Sequence, residues 1–299
     1  MQQHPEHIYY EANGIRLHAV LAGQEYGPLV VLLHGFPEFW YGWRNQIEPL
    51  AEAGLRVLAL DQRGYNLSDK PKRLEAYNIG LLAMDVIAVI QAAGREKAFL
   101  VGHDWGAHVA WEVAIRYPKQ VEKLAILNVA HPDVMTRFLL GNPEQIRKSW
   151  YVYFFQTPRL PDWALCRQDY SGLRNLLLRS SKEGVFNEAD LERYVQAWSQ
   201  PGAVSAMLNW YRAAFRRGLQ GPKNPNRVPR RRVHVPTLIL WGKQDVALSS
   251  RMVRPSASLC DNAKFVFFDQ ASHWLQHEEA EQVNYLLIDF FKNSQVSQT

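Results

Sequence analysis

The chain has 299 residues, 47% of them hydrophobic, which suits one large domain, or one domain with an insertion, around a sizeable core. A formal charge of +5 is modest for this length and argues against a dedicated nucleic-acid surface. The two cysteines, Cys166 and Cys260, form neither a CxxC pair nor a Cys/His spacing, so neither a disulfide framework nor a zinc site is expected.

The start of the chain has no basic segment followed by an apolar one, so it does not read as a secretory signal. Two strand-like runs, 8–12 and 15–20, are joined by Asn13-Gly14, a strong hairpin signal. Further runs follow at 29–33, 55–60, 99–101, 124–127, 237–241 and 265–268. The later ones are continuously apolar, as parallel strands buried on both faces should be. Helical patterns such as 79–93 lie between several of them. This alternation predicts an α/β fold, an eight-stranded and mostly parallel sheet flanked by helices.

The alternation stops between about residues 132 and 229. There the helical patterns are 145–155, 188–198 and 204–217, with no convincing strand. The stretch reads as a helical cap inserted between two strands, which divides the chain into a core of 1–132 and 230–299 and a cap of 133–229. Residues 224–229, rich in proline and asparagine, read as the return linker. The basic run 227–232 is a solvated part of it, and the polar tail from Lys292 is expected to fray. No apolar run reaches the ~18 residues that span a bilayer, so a soluble cytoplasmic protein with no membrane partner is the expectation.

The chemistry concentrates in Gly102-His103-Asp104-Trp105-Gly106, between a strand and a helix. Strand, Gly-x-X-x-Gly, helix is the context of a nucleophile elbow, in which the central side chain is pushed out to meet substrate. Serine usually stands there; here it is Asp104. A carboxylate nucleophile attacks an alkyl carbon, which narrows the chemistry to C–O or C–halogen cleavage. The resulting ester must be hydrolysed, so a histidine base and an acid to orient it are needed, in the chain order nucleophile, acid, histidine. Asp245 follows one strand and His273 follows the next. Taken alone, each would be an ordinary loop residue; in this order they complete a triad with Asp104. Asp269 is the near competitor for the acid. The oxyanion donors should be the backbone N–H groups of Trp105 and of Phe36, in the loop His34-Gly35-Phe36-Pro37. His34 and His103 read as structural hydrogen-bonders within their own loops.

Together these motifs resemble the epoxide hydrolase branch of the α/β-hydrolase family. The matching residues are His34-Gly-Phe-Pro-Glu-Phe-Trp-Tyr-Gly-Trp43, Asp61-Gln-Arg-Gly-Tyr65, Gly102 to Gly106, Trp241-Gly-Lys-Gln-Asp245 and Ser272-His273. The resemblance implies two cap tyrosines that hydrogen-bond the epoxide oxygen, and the matching positions are Tyr151 and Tyr211. The chemistry agrees, since an alkoxide leaves poorly without a proton and a phenol can supply one. Tyr153 faces elsewhere on a helix and reads as packing. The other cap aromatics, Trp150, Phe154, Phe155, Trp163, Trp198 and Trp210, should either bind cap to core or line a pocket for apolar or aryl epoxides.

A haloalkane dehalogenase is the main alternative. It would share Asp104 and the Trp105 that follows it but needs a second side-chain donor for the halide; Phe36 supplies none, and Trp150 or Trp210 would have to serve. A haloacid dehalogenase would want arginines beside the nucleophile, where this chain has Trp105 and His108. An esterase would want serine at 104, and a non-catalytic binder would leave the triad without purpose. The expected partners are a small epoxide and water, with no nucleic acid, no cofactor and no metal; a homodimer is left open.

Overall fold

The computed structural model describes residues 5–220 and 231–293. The return linker 224–229, the basic run as far as residue 230 and the tail beyond residue 293 lie outside the described residues.

Eight strands form one sheet: β1 (Glu6–Ala12), β2 (Ile15–Gly23), β3 (Leu29–Leu33), β4 (Arg56–Leu60), β5 (Ala98–His103), β6 (Val121–Leu127), β7 (Thr237–Gly242) and β8 (Ala263–Phe268). Their order is β1-β2-β4-β3-β5-β6-β7-β8. β2 runs antiparallel to β1 and β4, and all other neighbours are parallel. The hairpin turn forms as its residues dictate. Asn13 (φ 52) and Gly14 (φ 76) are both left-handed, which matches the twist of the flanking strands and sets Ala12 opposite Ile15.

Twelve α-helices are described. Three precede β6: α1 (Arg44–Glu52), α2 (Ile79–Ala92) and α3 (Trp105–Arg116). Six lie between β6 and β7: α4 (Pro132–Gly141), α5 (Pro143–Lys148), α6 (Trp150–Phe154), α7 (Leu160–Ser180), α8 (Glu188–Trp198) and α9 (Ala203–Gln220). Three follow β7: α10 (Val253–Ala257), α11 (Leu275–Glu278) and α12 (Ala280–Lys292). The sheet is the middle layer. Leu29, Val31 and Leu33 of β3 face the core shared with α2 and α3, while Val30 and Leu32 face the core shared with α1 and α12. Both faces being covered, every residue of β3, β5 and β7 is buried, which is why these strands read as unbroken apolar runs.

The named elements of the insertion between β6 and β7 are all helices among its described residues, but they differ from the sequence pattern. The predicted helix 145–155 is two helices broken at Ser149 (φ −90, ψ 15), because Gln145 and Lys148 are drawn onto the loop after β7. α4 begins on Pro132 behind a His131 cap, where no helix was expected. α7 was also missed. Arg167 to Tyr170 depart from helical geometry, and three of them are left-handed, which destroys the periodicity that would have revealed it. α8 coincides with its predicted span and carries a full capping box between Asn187 and Asp190. Among the described residues, no helix is long and apolar enough to cross a membrane.

Candidate active site

The carboxyl ends of the parallel strands lie on one edge of the sheet, and the loops leaving them carry Phe36, Asp104, Asn128, Asp245 and His273. Asp104 links β5 to α3 with φ 48 and ψ −123, a conformation that a residue with a side chain adopts only when its surroundings hold it there. Two glycines make the turn fit. A Cβ at Gly106 would overlap the Leu33 carbonyl, and one at Gly35 would overlap the Asp104 side chain itself. The Asp104 side chain stays 15% exposed, so a ligand can reach it.

The three triad candidates come together. His273 Nε2 lies 3.6 Å from Asp104 Oδ2, and His273 Nδ1 lies 2.8 Å from Asp245 Oδ2. Asp245 is itself tightly held: its Oδ1 accepts from Ala247 N–H (2.7 Å) and Leu248 N–H (2.8 Å), and its Oδ2 accepts from Asn128 Nδ2 (2.7 Å). Asp269 points elsewhere, 71% exposed and paired with Lys243 at 2.6 Å. Phe36 N–H donates to Asp104 Oδ1 at 2.7 Å. Trp105 opens α3, so its N–H is one of the donors that a helix leaves unpaired at its start.

The charges follow from these contacts. Burial opposes the imidazolium, but the Asp245 and Asp104 carboxylates push the His273 pKa up to about 10. Burial would raise the Asp104 carboxyl, but the His273 and His103 rings and the Phe36 N–H hold it below the usual carboxylate range. Asp245 is held low in the same way, by His273, Asn128 and Leu248 against burial. The resting site is therefore two carboxylates around one imidazolium.

Above this edge, α6 and α9 bring Tyr151 and Tyr211 together, with ring centroids 6.0 Å apart. Tyr211 stands edge-on to the rings of Trp105 (4.9 Å) and Phe36 (5.3 Å), the two residues expected to supply the oxyanion donors from their backbones. Phe155 fills the space against both tyrosines, at 5.7 Å and 5.0 Å. Burial and the Asp104 charge push both phenols up, keeping them protonated. Tyr153 turns to the surface against Phe215 and is 56% exposed.

The cap is tied down by directed bonds. Trp198 Nε1–H donates to Pro37 O (2.6 Å), Trp210 Nε1–H to Arg63 O (3.0 Å) and Tyr194 O–H to Glu38 Oε1 (2.6 Å). Lys148 Nζ donates to Asp245 O at 2.8 Å. Trp150 and Trp163, expected to face either core or pocket, are instead 65% and 57% exposed. His34 stays structural within its neighbourhood, bonding Gly35 O and accepting from Gln62 N–H. His103 reaches further than expected: its Nε2–H donates to His273 O at 2.8 Å and its Nδ1 accepts from Gln276 Nε2. Of the described basic residues in the run from 227, Arg231 is clamped by Asp133 and Glu112, and Arg232 by Asp261.

Sequence reasoning missed Asn128, which holds Asp245 with its amide N–H, accepts from Gly242 N–H and contacts Ser272 O. The available signal was its place, directly after a buried parallel strand at the ligand edge. Among the described residues, no group of three His, Cys, Asp or Glu side chains is arranged to hold a metal ion.

The sequence matches the α/β-hydrolase fold family over residues 28–280. It is 45% identical over 285 residues to the AB hydrolase superfamily protein YfhM of Bacillus subtilis, covering 95% of this chain and 97% of that one. It is 37% identical over 292 residues to Epoxide hydrolase 4 of Mus musculus, covering 96% of this chain and 79% of the relative. The crystal structure of Bacillus megaterium epoxide hydrolase in complex with an inhibitor superposes with a TM-score of 0.88 at 35% identity, covering 96% of this chain and 100% of that one.

Proposed function

The chain belongs to the α/β-hydrolase family, in its epoxide hydrolase branch, and from that premise we propose that it hydrolyses apolar or aryl epoxides to vicinal diols without a cofactor. What supports this reading most is the pair of phenols, Tyr151 and Tyr211, with rings 6.0 Å apart, both raised in pKa by burial and by the nearby Asp104 carboxylate.

Asp104 attacks one epoxide carbon while a tyrosine protonates the departing oxygen, leaving an ester on Asp104 and a phenolate. Forming the ester removes the Asp104 charge, one of the groups that hold His273 protonated. His273 then gives its proton to the phenolate and becomes a neutral base. Oriented by Asp245, it takes a proton from water as that water attacks the ester carbonyl. The Phe36 and Trp105 N–H groups hold the oxyanion. Collapse releases the diol and restores the carboxylate, the imidazolium and the phenol, so protons balance over the cycle.

The haloalkane dehalogenase reading is weaker. Trp150 is on the surface and Trp210 Nε1 is spent on Arg63 O, so neither cap indole is placed to take a halide. A cytoplasmic location, with an epoxide and water as the reacting partners, belongs to the same proposal.

The test is to incubate purified protein with styrene oxide and, in parallel, a bromoalkane. Diol without halide is the expected result. Halide without diol would transfer the assignment to the dehalogenase. For the covalent step, a single turnover in H₂¹⁸O should place label in the Asp104 carboxylate; label in the diol alone would mean direct attack by water.

A further inference from the structure

The cap carries an apolar face that the proposed chemistry does not use. Leu140 is 80% exposed, Trp150 65%, Trp163 57%, Tyr153 56% and Ile146 39%. Single exposed apolar residues are ordinary, but here five large ones fall on the helices α4 to α7, of which α4, α5 and α6 pack in succession.

Residues 133–163 hold four cations, Arg137, Arg147, Lys148 and Arg159, against three acids, Asp133, Glu144 and Asp162, and Asp133 and Asp162 are paired with Arg231 and Arg212. Glu144 is already taken by Lys148 (3.6 Å) and Arg251 (3.8 Å). Among the described residues, the exposed Arg137, Arg147 and Arg159 have no ion pair. Arg167, beside Trp163 on α7, adds a further cation without an ion pair among the described residues, its guanidinium 5.0 Å from the Trp163 ring.

We propose that this face docks the protein peripherally on an anionic lipid surface. Indole and phenol rings favour the headgroup level, leucine and isoleucine can enter the acyl boundary, and arginine stems lie along apolar surface while their heads reach phosphate. A second copy of the chain fits worse. A dimer would have to bury these three unpaired cations, whereas an anionic surface would neutralise them. The contact is one of lying on the bilayer, since no described helix can span it. Trp150 and Tyr151 are neighbours on α6, Trp150 turned to solvent and Tyr151 packed toward Tyr211. Docking would therefore bring molecules dissolved in the lipid to within one short helix of the site. The docking itself does not depend on the epoxide reading.

The test uses the full chain, without substrate, sedimented with vesicles of equimolar phosphatidylglycerol and phosphatidylcholine, and with vesicles of phosphatidylcholine alone. The expected result is pelleting with the anionic vesicles only, abolished at about 1 M salt. An Arg137→Gln/Arg147→Gln/Arg159→Gln variant should bind on the order of 100-fold more weakly. Leu140→Ala/Trp150→Ala should also weaken binding, and circular dichroism should show these surface variants folded. Failure to pellet, or equal pelleting by the arginine variant, would overturn the proposal. So would a solution dimer that Trp150→Ala dissociates, which would assign the face to a second copy.

Discussion

At the carboxyl edge of the sheet, Asp104, Asp245 and His273 are located by polar contacts of 2.7–3.6 Å; across from them, Tyr151 and Tyr211 are located by rings 4.9–6.0 Å apart. The first kind of contact is directional, and one misplaced atom forfeits it. The second is spread over many weak contacts and tolerates loss of a polar atom without collapse. The sheet edge should therefore fail sharply on single substitutions. The cap should lose chemistry while keeping its shape.

The hardest break is Asp104→Asn. Turnover should fall by ~10⁴-fold or more, and no adduct should be seen by mass spectrometry. Near-normal turnover would place the nucleophile elsewhere.

His273→Gln should separate the two half-reactions. Ring opening survives, ester hydrolysis falls by ~10²–10⁴-fold, and the alkyl-enzyme accumulates on Asp104. Diol formation at the usual rate would remove His273 from its role. In the unsubstituted protein, single-turnover ester hydrolysis should rise with pH, because the neutral imidazole is the active form. The midpoint should fall below about 10, the resting value, because the ester lacks the Asp104 charge that favours imidazolium. A midpoint at or above that value would mean that Asp104 does not tune His273.

The double variant Tyr151→Phe/Tyr211→Phe probes the cap. The rings and their packing remain, so the thermal midpoint should stay close to that of the unsubstituted protein. Single-turnover ring opening should nevertheless slow by ~10²–10⁴-fold. Unchanged alkylation would take the cap out of the mechanism.

The smallest effect is expected at Asn128→Ala, which removes a donor from Asp245 and an acceptor from Gly242 N–H. A loss of ~1–3 kcal/mol should appear as a lower thermal midpoint together with slower ester hydrolysis. An unchanged midpoint would mean that the Asp245 loop holds itself without Asn128.

Much of this was legible from local pattern. The Asn13-Gly14 hairpin, the apolar runs of the parallel strands and the Gly-x-Asp-x-Gly elbow each depend on residues close in sequence, and each formed where its pattern lay. The cap was legible only in part. α8 and α9 have clean amphipathic periodicity, whereas α7 is interrupted at Arg167 to Tyr170 and the helix expected over 145–155 is broken at Ser149. The break at Ser149 answers to contacts far along the chain, such as Lys148 to the Asp245 carbonyl.

By itself, then, the sequence determined the fold class and singled out Asp104, Asp245 and His273 as candidates, because strand–turn–helix geometry and residue chemistry are local properties. Only the tertiary structure decided that Asp245 and not Asp269 meets His273, that Asn128 contacts Asp245 and His103 contacts His273, and that Trp150 faces out while Tyr151 faces in. These outcomes depend on which of several chemically competent groups the packed sheet and cap bring within hydrogen-bonding range or turn toward solvent. No local pattern encodes that distance.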